Sequence, residues 1–129
     1  MRNCILYVTD ANPRYVKFTE NAIRYAKAFL GDTECVVMTD RRGLKVKGAD
    51  KVWYIGDYLE RWSVATDSTR FSNIVFMKLI APLTRELDRY DGVVCYDPDT
   101  IVTSGKVNDL FSIKFDEGSF VACVPDAPS

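Results

Sequence analysis

Short apolar runs without alternation, separated by segments of helical period, constrain this chain's fold more than any other feature. Residues 4–9, 34–39, 51–55 and 92–96 are rich in β-branched, aromatic and sulfur-bearing side chains. Each predicts a strand, and several stop at turn chemistry such as Asp10-Ala11-Asn12-Pro13 or Gly56-Asp57. A fifth run spans 119–124. Between the first two runs, Val16, Ile23, Ala26 and Leu30 recur at helical spacing over 14–30, and Gly31 stands where a helix should be capped. Residues 41–50 mix charge with two glycines and predict a loop, and 58–70 begin helix-like before becoming rich in Ser, Thr and Asp. A second long helix is expected over 70–87, with Ser68 or Thr69 as N-cap and a bend near Pro82. Strands that are apolar on both faces need cover on both sides. The expectation is therefore an α/β domain with a mostly parallel sheet and helices on both faces.

A chain of 129 residues makes one domain, able to bury roughly two thirds of its unfolded surface. Its 17 basic and 18 acidic residues are spread without long blocks, which gives no electrostatic reason to expect nucleic acid or an anionic membrane. Cys4, Cys35, Cys95 and Cys123 are far apart, sit among β-formers and read as reduced, buried thiols. With no histidine in the chain, the usual zinc sites and the Ser-His and Cys-His catalytic arrangements are excluded. The opening apolar run is too short for a signal peptide and no later stretch could span a bilayer, so a cytoplasmic protein is expected.

Parallel sheets bind ligands at the carboxyl ends of their strands. Here those ends carry Thr9-Asp10, Thr39-Asp40, Gly56-Asp57, Asp97-Pro98-Asp99 and Pro125-Asp126, a rim crowded with acids. Asp97 and Asp99 share one turn, and two carboxylates so placed can ligate a hard divalent ion that also holds phosphate oxygens. The plainer alternative is a turn opened by Asp97, set by Pro98 and capped by Asp99. At the first strand's exit, Asp10 and Asn12 can hydrogen-bond a base edge while Tyr15 stacks on its face, or they simply build an Asx turn into a helix. Lys78 lies on the stripe of Phe71, Ile74 and Val75, where another hydrophobe is expected, so its ammonium must snorkel outward or meet an anion such as a diphosphate.

Taken in order, three segments resemble the core of family 8 glycosyltransferases, the glycogenin-like group. They are Phe76-Met77-Lys78-Leu79-Ile80-Ala81-Pro82-Leu83, then Val93-Val94-Cys95-Tyr96-Asp97-Pro98-Asp99, then Asn108-Asp109-Leu110-Phe111. The likeness extends to Val8-Thr9-Asp10 with Asn12 and Tyr15, and to Val121-Ala122-Cys123-Val124-Pro125-Asp126. The resemblance implies a Rossmann-like sheet of the GT-A type and a retaining, metal-dependent transferase using a UDP-sugar. It implies that Asp97 and Asp99 bind Mn2+, or Mg2+ in its place, that Thr9, Asp10, Asn12 and Tyr15 hold the uracil, and that Lys78 touches the donor. The acceptor is then a sugar, a lipid or a protein, and a homo-oligomer is compatible with this reading. Pro13 and Arg14 separate Asn12 from Tyr15, where family members often have Asn and Tyr adjacent. The resemblance covers the donor-binding part, a single domain over 1–129. The family's acceptor-binding half, with an Asn-Ser-Gly segment and a histidine that completes the metal site, has no counterpart in these residues.

Three other classes compete. A non-catalytic nucleotide-binding or interaction module needs only the donor-binding part. A receiver domain shares the β/α order and an acid at Asp57, yet would want a lysine past the fifth strand, where the chain reads Val124-Pro125-Asp126. A sugar nucleotidyltransferase would want a glycine-rich loop after the first strand, and residues 9–16 contain no glycine.

Overall fold

The computed structural model describes residues 2–61 and 73–113. Four strands, β1 (Asn3–Val8), β2 (Glu34–Thr39), β3 (Lys51–Tyr54) and β4 (Gly92–Tyr96), form one sheet in the order β3-β2-β1-β4. All three pairings are parallel, so the expected α/β class is observed. Helix α1 (Pro13–Leu30) connects β1 to β2, α2 (Gly56–Arg61) follows β3, and α3 (Asn73–Ile80) precedes β4. The strand expected at 119–124 and the N-caps expected at Ser68 or Thr69 lie outside the described residues.

Both faces of the sheet are covered at β1 and β2, as strands without alternation require, whereas Val93 and Cys95 of the edge strand β4 are exposed among the described residues, so Cys95 is not the buried thiol expected. Alternate side chains of β1 divide between two cores. Cys4, Leu6 and Val8 pack with Val36, Met38 and Ile55 and with Met77 and Ala81 from the α3 side. Ile5 and Tyr7 turn the other way, onto Ala22, Ile23, Ala26 and Leu30 of α1. Each fully buried aliphatic of this kind contributes about 1.5–3 kcal/mol.

Local chemistry sets the ends of the helices. The Asn12 side chain accepts a hydrogen bond from the Arg14 N–H at 3.0 Å and Pro13 occupies the first turn, which together start α1. Gly31, at φ 56, ends it by donating its N–H to the Lys27 carbonyl at 3.2 Å, a left-handed conformation that favours glycine. The helix expected over 70–87 does not bend at Pro82; it stops. Its last α-helical residue is Ile80, a 3-10 turn covers Ala81–Leu83, Thr84 is extended at ψ 144, and a second 3-10 helix spans Arg85–Arg89. Pro82 has no N–H to give and its ring crowds the preceding turn, so within this short segment a stop replaces a kink.

At the amino ends of the strands Arg2 acts as a clamp. Its guanidinium donates to Glu34 Oε1 at 2.8 and 3.0 Å, and its backbone exchanges hydrogen bonds of 2.7 Å with Asp91. The Tyr90 hydroxyl donates to the other Glu34 oxygen, and it and Arg2 hold the Glu34 carboxyl below its ordinary value against the opposing effect of burial. This fastens β1, β2 and the start of β4 at the end opposite the carboxyl-end rim.

Tyr7 is wholly buried, and among the described residues its hydroxyl meets no hydrogen-bond partner. Burial accordingly pushes its phenol above the ordinary value. A buried polar group without a partner costs about 1–3 kcal/mol. Tyr7→Phe is therefore expected to raise the unfolding free energy by about 1 kcal/mol in a urea titration. A loss of stability would mean that the hydroxyl is engaged.

Candidate functional site

The sheet order gives the rim its centre. From β1 the chain moves outward through β2 to β3, and β4 then returns to the opposite side of β1. The carboxyl ends of β1 and β4 thus flank the point where the strand order reverses, the crevice in which open parallel sheets hold ligands. Register runs from Asn3 opposite Gly92 to Tyr7 opposite Tyr96. Val8-Thr9-Asp10 and Asp97-Pro98-Asp99 follow immediately on neighbouring strands. Two segments 87 positions apart in the chain (Asp10 to Asp97) thus leave the sheet from neighbouring strands.

On the β1 side, Thr9 is fully buried; its N–H donates to the Met38 carbonyl at 3.1 Å and its hydroxyl to the Asp10 carbonyl at 3.2 Å. Thr9 therefore shapes the exit from beneath. Asp10 Oδ1 accepts the Asn12 N–H at 2.9 Å, an Asx turn, and the Asn12 oxygen is the α1 cap. Tyr15 sits in the first turn of α1, exposed, with its ring 6.4 Å from that of Phe18. The turn-forming alternative for Asp10 and Asn12 is thus realised, and it leaves the Tyr15 face in solvent.

On the β4 side, the Thr100 N–H closes a turn on the Asp97 carbonyl at 2.9 Å, Pro98 is buried and Asp99 is exposed. Lys78 reaches from the last turn of α3 to form an ion pair with Asp97 Oδ1. Of the two fates open to its ammonium it takes the anion, here a carboxylate of the chain itself.

A further acid of the rim, Asp57, is already engaged. Asp57 lies in the first turn of α2, not at a strand exit, and pairs with Arg42 at 3.3 Å. That placement gives no support to a phosphoacceptor role. Arg42 also stacks over the Tyr54 ring at 4.1 Å, a contact that sequence reasoning missed; the signal was Arg41-Arg42 directly after a strand exit.

The basic residues are less evenly placed than expected, since residues 14–51 carry nine of the 17 Lys and Arg against five of the 18 acids. Some line a groove of about 720 Å3 between α1 and the loop before β3, including Lys17, Arg24, Lys27 and Lys47. It shares no residue with the strand-exit site. Lys27 there is bound to Asp50 at 2.7 Å, and the Lys47 N–H donates to Glu20 at the same distance. Burial acts to raise the Asp50 carboxyl, but Lys27 and the Cys35 N–H outweigh it and hold it low.

Among the described residues no group of three or more His, Cys, Asp or Glu side chains could hold an ion. Asp97 and Asp99 supply at most part of an octahedral shell. Two carboxylates suit a hard ion that arrives with phosphate oxygens and water, and they do not suit a resident structural metal. Among the described residues no helix is long and apolar enough to cross a membrane. Comparison of the chain with protein-family models, with curated proteins and with solved structures returns no match.

Proposed function

We propose that this chain is the donor-binding domain of a retaining glycosyltransferase that takes a UDP-sugar together with Mn2+ or Mg2+. The observation that supports the reading is the convergence, at the reversal point of the sheet, of the β1 exit, the Asp97-Pro98-Asp99 turn and Lys78.

In this reading Asp97 and Asp99 hold the divalent ion. The chemistry supplied by that ion, when bound, is stabilisation of the charge gathering on the departing diphosphate. Lys78 gives a phosphate oxygen a mobile point charge. Tyr15 offers its exposed ring to the uracil, Asp10 and Asn12 shape the base pocket through the Asx turn, and Thr9 supports them from below. Cys4 and Cys35 are buried free thiols, pushed by burial up to about 12 and about 11, in keeping with a reducing, cytoplasmic setting.

Isothermal titration calorimetry tests the proposal. UDP with Mn2+ is expected to bind the chain at least about tenfold more tightly than UDP with EDTA, because two carboxylates alone repel a diphosphate. Binding indifferent to the metal would contradict it. Absence of any nucleotide affinity, with protein partners retained in a pull-down, would favour the non-catalytic module.

A further inference from the structure

The groove between α1 and the loop before β3 has electrostatics of its own. Four cations line it, Lys17, Arg24, Lys27 and Lys47, against one carboxylate, Glu20. The acids that could balance them hold the loop in place instead. Glu20 Oε2 accepts the Lys47 backbone N–H at 2.7 Å, and Asp50 Oδ2 accepts the Cys35 N–H at 2.8 Å and the Lys27 ammonium at 2.7 Å. Val46 is buried in the core on the α1 side. Gly48, at φ 87, lies so close to the helix that a Cβ there would stand 3.2 Å from Ile23 Cγ2. The loop is therefore fastened to α1 and the groove is preformed, which lowers the cost of binding.

What remains is positive charge without a partner. Among the described residues no carboxylate lies within ion-pair distance of Lys17, Arg24 or Lys47, and all three are exposed. Lys17 and Arg24 are two helical turns apart on one face of α1, about 10 Å along its axis. A polyproline II segment, with about 3.1 Å per residue and three residues per turn, presents every third side chain on one side at nearly that spacing. Phe18, 37% exposed, adds an apolar wall beside the two cations. A single-stranded nucleic acid fits less well, because bases stack on free ring faces. Arg14 already lies over the Phe18 ring at 5.5 Å and Arg24 over the Tyr25 ring at 5.8 Å.

We infer that this groove docks an extended acidic peptide of a partner protein, with a carboxylate at every third residue to meet Lys17 and Arg24 and with Lys47 facing it from the loop. The groove shares no residue with the strand exits, so the inference does not rest on the function proposed above.

Fluorescence polarisation of a fluorescein-labelled peptide of repeated Asp-Pro-Leu units, titrated with the full chain, tests it. That peptide is expected to bind at least about tenfold more tightly than its Asn-Pro-Leu counterpart, with an affinity that falls as salt is added. Lys17→Glu and Arg24→Glu should each weaken binding about tenfold, with urea unfolding unchanged. Arg85→Glu reverses a charge on the 3-10 helix whose Leu87 packs on the other face of the sheet, and should leave binding within about twofold. Equal losses in the three variants would reveal a general charge effect and overturn the inference. Equal binding of the two peptides would overturn it as well, as would tighter binding of a labelled oligothymidylate than of the acidic peptide.

Discussion

Asp97→Asn is expected to weaken the binding of UDP with Mn2+ about 100-fold, and Asp99→Asn at least about tenfold, which correspond to ~2.8 and ~1.4 kcal/mol. The asparagine keeps the shape of the side chain and removes the charge that a hard cation requires. Asp97 should cost more because its loss also strands Lys78, whose ammonium then faces the incoming metal with no carboxylate between them. The fold should scarcely notice. The pair with Lys78 is exposed, and pairs of this kind contribute about 0–1 kcal/mol. Calorimetry of each variant beside its urea unfolding curve separates the two effects. Equal losses of binding and of stability would mean that the turn was damaged and that no ligand role had been tested.

Leu6→Ala is expected to lower the unfolding free energy by about 3 kcal/mol, within the usual ~2–5 kcal/mol for a buried leucine. Leu6 is 1% exposed at the middle of β1, between Val36 of β2 and Cys95 of β4, and packs in the core on the α3 side. A cavity there sits in the strand that joins both halves of the sheet. Leu83→Ala provides the contrast, since that side chain is 56% exposed on the 3-10 turn after α3. Its effect should stay within about 0.5 kcal/mol. Urea midpoints, with slopes unchanged, measure both. Similar effects at the two positions would contradict the core described for β1.

Much of the architecture was legible because local chemistry agreed with it. The continuous apolar runs at 34–39 and 92–96 became strands, the first buried and the second with Val93 and Cys95 exposed, and Asn12, Pro13 and Gly31 bounded α1 by capping alone. The end of α3 was less legible, because a proline can kink a long helix or stop a short one, and Thr84 turned extended. Strand order was not legible at all. Nothing local to Gly92–Tyr96 says that it lies beside β1, yet that adjacency sets the β4 exit, with Asp97, beside the β1 exit. The meeting of Lys78 with Asp97 was half legible. Helical spacing exposed a misplaced cation but could not name its anion, which is set by how α3 lies over the sheet. The burial of Thr9 likewise depends on the Met38 carbonyl of β2.

Paramagnetic broadening of backbone amide resonances by Mn2+ locates the metal and ties it to the nucleotide in one titration. With UDP and Mn2+ together, amides of residues 9–12 and 97–100 should lose intensity first, and those of Arg2 and Glu34, at the opposite end of the sheet, should keep it. With Mn2+ alone the broadening should be weak. Broadening centred on Asp40 and Asp57 or on the groove beside α1, or broadening at 97–100 that is as strong without UDP as with it, would contradict a metal-dependent nucleotide site at the exits of β1 and β4.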